Sequence, residues 1–182
     1  MKEHYLVMGT ETLAGVGVAE GLLNIGHSVV ESQSHPRDGA KTHFIPCELN
    51  DPTSILSFVE ELTAQEVVLD GVAFCRKRDV DTDPVTSPMD MSEHFQENII
   101  GPLTMLVYLV EFGGIDPTAS IVFLKHKKYD STLGRATGEA IEPYTEVFKR
   151  FLPASFVFNY LSYDSVYFDE SHQAILKKLT RA

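Results

Sequence analysis

YLVMGTETLAGVGVAEGLLNIGHSVV, residues 5–30, is the stretch that decides the fold of this chain. A short apolar run at 5–8 precedes Gly9, a pattern typical of a buried parallel strand followed by a tight turn. A helix is predicted next, because apolar residues recur at helical spacing up to a glycine that ends it: Val16, Ala19, Leu22, Leu23 and Gly26. A second apolar run follows. The stretch therefore predicts the first βαβ unit of a parallel sheet.

Length and composition predict one globular domain, residues 1–182. The chain is long enough to bury a sizeable core, and its 43% hydrophobic and 23% charged residues are ordinary for such a domain. The formal net charge is −11. Nucleic acids and anionic membrane surfaces attract basic faces, so neither nucleic acid nor a membrane is expected as a partner.

The sequence favours a cytoplasmic location. Lys2, Glu3 and His4 stand where a signal peptide would begin, and no apolar run approaches the about 18 residues needed to cross a membrane. Cys47 and Cys75 lie far apart in the sequence and are predicted to be reduced thiols. No His-x-x-x-His or Cys-x-x-Cys pair occurs, so no metal site is predicted.

The rest of the chain continues the alternation of strands and helices. Apolar runs predict further strands at 42–47, 67–74, 119–124 and 155–161, and a short one at 165–168. Helical spacing predicts further helices, beginning at Pro52 and spanning 92–112, 137–152 and 171–179. Asp51 is the expected N-cap of the helix that begins at Pro52, and Pro143 is expected to interrupt the helix at 137–152.

The glycine turn resembles the opening motif of the short-chain dehydrogenase/reductase family, Thr-Gly-x-x-x-Gly-x-Gly. Gly9 takes the first glycine position and Gly15 the last without a gap, whereas Leu13 replaces the middle glycine and Met8 the threonine. The resemblance covers residues 5–162. It implies an α/β fold, a doubly wound, Rossmann-like parallel sheet of six to seven strands with helices on both faces.

The substitution at Leu13 bears on cofactor binding. In the family, the middle glycine lets the backbone approach the pyrophosphate of the cofactor because it has no side chain. A leucine is predicted to project a side chain into that approach. The resemblance makes Gly9, Thr10 and Gly15 candidate cofactor contacts, and a tight turn without any role in nucleotide binding is the alternative.

The adenosine side of the site also departs from the family pattern. The resemblance places Gln33 where an acidic residue binds the adenine ribose, with Glu31 two residues too early. His35 and Arg37 are candidates to meet a 2′-phosphate, unless this segment is simply an exposed loop. Glu48 takes the family position that contacts adenine.

At the centre of the site that the resemblance implies, one segment departs from the family pattern and one residue matches it. The family carries Asn-Asn-Ala-Gly after the fourth strand, under the cofactor ribose, whereas residues 74–77 read Phe-Cys-Arg-Lys. The basic run 76–78 could bind an anion or form a solvated loop. Asn98 matches the family's Asn-x-x-Gly-Pro, which implies a role in a catalytic water relay, and it is one weak catalytic candidate.

The catalytic residues of the family have no counterpart. The position of its serine aligns with Lys125 and His126, and Tyr-x-x-x-Lys occurs nowhere in the chain. Arg135 and Glu139 take the places of the tyrosine and the lysine, where spacing of four residues normally lets the lysine lower the pKa of the phenol. His126 and Tyr129, together with Lys125, are the other weak candidates for a replacement set.

The sequence therefore favours a non-catalytic protein, a pseudoenzyme with a dehydrogenase frame, that acts as a homo-oligomer or as a partner-binding subunit. No cofactor is expected, and NAD(P) is the one implied if any binds. The alternatives are a divergent NAD(P)-dependent oxidoreductase with an atypical site and a binding module for another anionic ligand.

The predicted association surface lies on two helices. In the family, the helices that align with 92–112 and 137–152 form the main subunit interface, which implies a homodimer or hetero-oligomer here. Met105, Val107 and Leu109 are predicted to give the first helix an apolar face directed away from the sheet.

Overall fold

A computed structural model describes residues 2–32, 35–36, 38–75, 88–126, 132–163 and 168–180. The strands are β1 His4–Met8, β2 Ser28–Ser32, β3 His43–Phe44, β4 Leu69–Cys75, β5 Ile115–His126 and β6 Val157–Tyr163. The α-helices are α1 Leu13–Asn24, α2 Pro52–Ala64, α3 Pro88–Phe95, α4 Gly101–Glu111, α5 Thr132–Phe148 and α6 Phe168–Thr180. A π-helical turn, Gln96–Ile100, joins α3 to α4, and a 3₁₀ turn, Lys149–Phe151, follows α5.

The strands form one parallel sheet in the order β3-β2-β1-β4-β5-β6. The predicted doubly wound, Rossmann-like α/β fold is confirmed, with six strands in the described part of the chain. The strand order reverses between β1 and β4, where Met8 and Phe74 are register partners. Ligands of open α/β sheets bind at such a switch point, beyond the carboxyl ends of the strands.

Two apolar layers hold helices against the faces of the sheet. One contains α1 and α6 and is built on Tyr5, Val18, Leu22, Val122 and Ile175. The other contains α2, α4 and α5 and is built on Leu6, Phe58, Val72, Leu106 and Ile141. Both faces of the central strands are therefore buried, which explains why these strands read as continuous apolar runs rather than as alternating patterns.

Two of the predicted strands differ in length from the observed ones. The strand predicted at 42–47 is reduced to His43–Phe44, because Pro46 has no amide hydrogen to donate to a ladder. The strand predicted at 119–124 is longer and spans Ile115–His126. The short strand predicted at 165–168 is wrong at Phe168, which begins α6, and residues 165–167 lie outside the described residues.

The helix predicted at 92–112 begins earlier, at Pro88. The apolar face that was predicted to point away from the sheet into solvent is largely covered. Met105 and Leu109 are fully buried, and only Val107 is partly exposed. The reason is that α2 packs on α4, so α4 lies between the sheet and a second helix of the same chain. The prediction of an apolar face for subunit contact was therefore wrong for Met105 and Leu109.

Pro143 does not interrupt the helix that contains it. α5 runs through this residue from Thr132 to Phe148. Thr145 within its second half is fully buried and donates its hydroxyl proton to the Ile141 carbonyl oxygen (2.7 Å). Packing of this buried face against the sheet outweighs the loss of one backbone hydrogen bond at the proline.

Candidate dinucleotide and catalytic site

The two glycines of the opening turn are required by backbone packing. Gly9 has a positive φ of +81°, and a Cβ atom there would lie 1.8 Å from the Cys75 carbonyl oxygen. A Cβ atom at Gly15 would lie 2.2 Å from the Gly9 carbonyl oxygen. Both residues therefore let β1, β4 and α1 approach closely, and this requirement holds whether or not a nucleotide binds.

The start of α1 is capped by a side chain of the turn. Thr12 is the N-cap, and its hydroxyl accepts a hydrogen bond from the Gly15 amide (3.0 Å) and donates to the Gly9 carbonyl (2.8 Å). Thr10 is buried as well. The turn that would cradle a phosphate is thus ordered by the hydroxyl group of Thr12.

Leu13 is the first residue of α1, and its side chain is 75% exposed. It packs into neither apolar layer but stands in solvent at the N-terminus of the helix, where anions approach helices. An exposed leucine contributes little to the fold. The side chain that replaces the middle glycine can therefore be changed without disturbing the packing of the turn.

A negative charge lies beside this turn. Burial raises the pKa of the Cys75 thiol, and the carboxylate of Glu11 raises it further. Glu11 itself is exposed, so its charge faces the solvent from which an anion would arrive. This carboxylate disfavours the hypothesis that the turn binds another anionic ligand, and the basic run 76–78 lies outside the described residues.

On the adenosine side, the structure places Glu31, His35 and Glu48. Glu31 is buried on β2 and shares a face with Val29, so it lies toward α1. Glu48 is exposed, and its amide donates to the Ser54 hydroxyl (2.9 Å) near the start of α2. His35 is exposed, whereas Gln33, with Arg37, lies outside the described residues.

The predicted losses under the cofactor ribose have a structural explanation. Phe74 stacks on Phe123 with ring centroids 5.0 Å apart, and Phe123 stacks on Tyr160 at 5.8 Å. Cys75 is buried on the opposite face of the sheet. Both residues at the end of β4 are thus core residues, and this aromatic ladder across β4, β5 and β6 fixes their positions.

An ion pair occupies the position of the expected catalytic centre. Lys125 Nζ on β5 lies 3.6 Å from Glu139 Oε1 on α5, and Arg135 is exposed on the same helix. The structure thus brings together the residues that align with the family's serine and lysine. The side chain of His126 lies outside the described part of the chain, as does Tyr129.

Asn98 lies in the π-helical turn, and its side chain bonds within its own helix. Asn98 Nδ2 donates to the His94 carbonyl oxygen (2.9 Å), and His94 Nε2 lies 3.3 Å from Thr137 Oγ1 on α5. Thr137 is buried and also donates to the Gly134 carbonyl oxygen (3.1 Å). Sequence reasoning missed His94 and Thr137, because no local motif links two residues on separate helices.

The π-helical turn is itself a feature of functional interest. Such turns insert one residue into a helix and often occur at functional sites. Here the turn holds Asn98, the residue that matched the family motif, and it contacts both α3 and α5. The helix therefore keeps a local distortion at the place where the family's relay residue is expected.

The described residues contain neither a metal-ion site nor a membrane-spanning helix. No group of three or more histidine, cysteine, aspartate or glutamate side chains is arranged there to hold a metal ion. Within the same part of the chain, no helix combines the length and the apolar character needed to cross a bilayer.

The fold is that of the short-chain dehydrogenases and reductases. Three solved structures illustrate the likeness. Aldohexose dehydrogenase from Thermoplasma acidophilum superposes with a TM-score of 0.76 at 13% identity, covering 90% of this chain and 66% of that one. A carbonyl reductase from Pseudomonas aeruginosa superposes with a TM-score of 0.77 at 17% identity, covering 99% of this chain and 91% of that one. A metagenomic short-chain oxidoreductase in complex with NADP superposes with a TM-score of 0.75 at 14% identity, covering 99% of this chain and 92% of that one.

The likeness is one of structure rather than of sequence. No family model and no curated protein matches the chain. The chain spans less than two thirds of the length of the aldohexose dehydrogenase, although it spans most of the other two structures. At these identities the comparisons establish the fold.

Proposed function

We propose that this chain is a non-catalytic protein with the short-chain dehydrogenase fold, which acts by association with a second copy or with a partner subunit. The Lys125–Glu139 ion pair at the carboxyl end of β5 carries the proposal. In the family that the sequence resembles, these places hold a serine and a lysine that serve the acid/base tyrosine.

The charged residues at these positions do not reproduce that chemistry. A general acid in carbonyl reduction donates a proton to the developing alkoxide and must have a suitable pKa. Arg135 takes the place of the tyrosine, and an arginine side chain stays protonated in proteins. Glu139 supplies a carboxylate where the family has an ammonium, so the group that would lower the pKa of a phenol is replaced by one that would raise it.

An assay of cofactor-dependent carbonyl reduction tests this proposal. The purified chain is incubated with NADPH or NADH and a set of aldehydes and ketones, and cofactor oxidation is followed. We expect no oxidation above the rate without protein. Oxidation that depends on the protein would overturn the proposal. A further loss of at least tenfold in Lys125→Ala or Glu139→Ala would make the ion pair part of an active site.

A second candidate is a divergent NAD(P)-dependent oxidoreductase of the short-chain reductase type. The comparisons favour it, since the similar structures are dehydrogenases and reductases and two of them contain NADP. His126 and Tyr129 would then be its acid/base candidates, and Asn98 would support a water relay.

Cofactor affinity distinguishes the two candidate functions, and a substitution at Leu13 is the most informative variant. Its side chain is exposed, so Leu13→Gly restores the family's glycine and leaves the packed turn intact. If the oxidoreductase candidate is right, the unchanged chain binds NADPH or NADH at micromolar concentrations. Binding that appears only in Leu13→Gly would instead support a frame that has lost its cofactor.

For association, the helix around 137–152 is the better supported of the two predicted surfaces. Tyr144, Val147 and Phe151 recur at helical spacing and are 41%, 57% and 53% exposed. These three residues form what we call the α5 stripe. Exposed apolar residues grouped in this way are suited to protein contact, whereas the corresponding face of α4 is covered by α2.

A further inference from the structure

We infer that the amino end of strands β5 and β6 is a docking surface for an acidic peptide segment of a different protein. The inference rests on the proposed function only in taking association as the way in which the chain acts, and it adds the chemistry of the partner. Six residues form this surface, which we call the basic end: Lys149, Arg150, Phe151, Val157, Lys177 and Lys178.

The end of α6 places two lysines beside the start of β6. The Ser120 hydroxyl on β5 donates to the Lys178 carbonyl oxygen (2.6 Å), and Ser120 is the register partner of Val157. Register partners on neighbouring strands direct their side chains to the same face of a sheet. The Val157 side chain and the last turn of α6, which carries Lys177 and Lys178, therefore lie close together on one face of the sheet.

The turn after α5 places two further cations on the opposite face. Lys149 Nζ lies 5.6 Å from the centre of the Phe158 ring, and Phe158 packs against the apolar layer that contains α5. The Arg150 guanidinium carbon lies 4.7 Å from the centre of the Phe151 ring. Cations therefore flank the first residues of β6 from both faces of the sheet.

Most of this positive charge is not compensated within the chain. Lys149 forms an ion pair with Glu146 on α5, but none of the described carboxylates lies within ion-pair distance of Arg150, Lys177 or Lys178, all of which are exposed. The helix dipole favours lysines in the last turn of α6, but it does not explain an arginine on a separate turn. In a chain of net charge −11 this end is a local positive pole, which attracts negative groups.

Exposed apolar side chains accompany these cations. Phe151 and Val157 are 53% and 46% exposed, whereas Leu152 and Phe156 in the same connection are buried. Phe151 is also the last residue of the α5 stripe. Arginine binds a carboxylate through two parallel hydrogen bonds, and apolar anchors contribute much of the binding free energy of an interface. A peptide that carries carboxylates next to apolar side chains therefore complements the basic end in both respects.

The distribution of charge around the basic end favours a peptide over a membrane or a nucleic acid. Glu139, Glu142 and Glu146 are exposed along α5, next to the basic end. A broad anionic surface that reached the basic end would also approach these carboxylates, and like charges repel. An extended peptide is narrow enough to contact the cations alone.

A second copy of this chain fits the basic end less well than a different protein does. Two basic ends repel each other, so a copy would have to offer an acidic surface from another part of the molecule. Such a head-to-tail contact forms a ring if its rotation closes and an open filament if it does not. A separate protein with an acidic segment has no such constraint.

Peptide binding to the full chain tests the inference. A phage-displayed library of random peptides is selected on the purified chain, and the affinity of the selected peptides is measured by fluorescence anisotropy. We expect peptides that combine aspartate or glutamate with leucine, phenylalanine or tryptophan. The double variant Arg150→Glu/Lys178→Glu should raise their dissociation constant by at least about tenfold, and the single variant Phe151→Ser should raise it as well.

The matched control is Lys2→Glu/Lys41→Glu. It makes the same change in net charge at two exposed positions outside the basic end, so it should leave the dissociation constant almost unchanged. Thermal unfolding of each variant checks that the fold persists, as expected for substitutions of exposed side chains.

Several results would overturn the inference. A selection that enriches no acidic peptides would show that the basic end does not recognise carboxylates. Acidic peptides that bind the double variant as tightly as the parent chain would place their site elsewhere. Tighter binding to phosphatidylserine vesicles than to any selected peptide would make the partner a membrane. Self-association that the double variant abolishes would make the partner a second copy.

The outcome of the peptide experiment is separate from that of the proposed function. A chain that binds no acidic peptide and oxidises no NADPH would keep the proposed function and lose this inference. Turnover in the NADPH assay by a chain that binds acidic peptides at the basic end would overturn the proposed function alone.

Discussion

Lys125 on β5 and Glu139 on α5 form an ion pair, with Nζ and Oε1 3.6 Å apart, at the carboxyl end of the sheet. Their side chains are 25% and 65% exposed. The pair joins the strand and the helix on which the resemblance places the counterparts of the family's serine and lysine. The fold thus brings together, in space, two positions that lie 14 residues apart in the sequence.

Charge reversal should reveal this pairing. Glu139→Lys places two ammonium groups together and is expected to lower the free energy of unfolding by about 0.5 kcal/mol, because solvent screens partly exposed pairs. The swap Lys125→Glu/Glu139→Lys restores opposite charges and should recover most of that loss. Urea unfolding of both variants and of the parent chain measures the effect, and an unrecovered loss would mean that the two side chains do not interact.

The opening turn should tolerate change at Leu13 but not at Gly15. Gly15→Ala puts a Cβ atom into the Gly9 carbonyl, so a loss of about 1–3 kcal/mol or failure to fold is expected. Leu13→Ala removes only exposed atoms and should change the free energy of unfolding by less than about 0.5 kcal/mol. Thermal and urea denaturation compare the two. Equal losses would contradict the packing role given to Gly15.

The buried thiols should make the fold sensitive to alkaline pH. Burial raises the pKa of Cys47 from 9.0 to about 12 and raises that of Cys75 as well. The unfolded chain therefore loses these protons first, so their contribution to stability is constant below pH 9 and falls as the pH rises above it. The slope is at most about 1.4 kcal/mol per pH unit for each thiol.

Unfolding midpoints between neutral and alkaline pH check this prediction, with Cys47→Ala as the comparison. The variant should lose less stability per pH unit than the parent chain above pH 9, where the unfolded thiol ionises. Identical slopes would show that Cys47 does not titrate differently in the two states. Thiol reagents at neutral pH should also modify the folded chain slowly and the unfolded chain at once.

The contact between His94 on α3 and Thr137 on α5 should contribute measurably to stability. Thr137→Val removes the hydroxyl near His94 Nε2 and keeps the shape of the side chain, so a loss of about 1 kcal/mol is expected. Thr104→Val is a control, because it makes the same change at a partly exposed position of α4. An equal effect of the two substitutions would remove any special role for the His94–Thr137 contact.

The sequence predicted the fold better than the surroundings of the site. The run 5–30 determined β1, α1 and β2, because glycine positions and apolar spacing are local signals. The sequence as a whole could not show that α2 covers Met105 and Leu109, since helix-on-helix packing depends on residues far apart in the chain. It also aligned Lys125 and Glu139 with catalytic positions without revealing their pairing, which only the fold creates.

Cofactor affinity is the sharpest test of whether this chain has a dehydrogenase frame without its nucleotide chemistry. We would titrate the purified chain calorimetrically with NADPH and with NADH, and repeat the titration with Leu13→Gly. We expect no saturable heat from the unchanged chain even at millimolar cofactor. Saturable binding of either cofactor at micromolar concentrations would contradict it and would put the oxidoreductase candidate first.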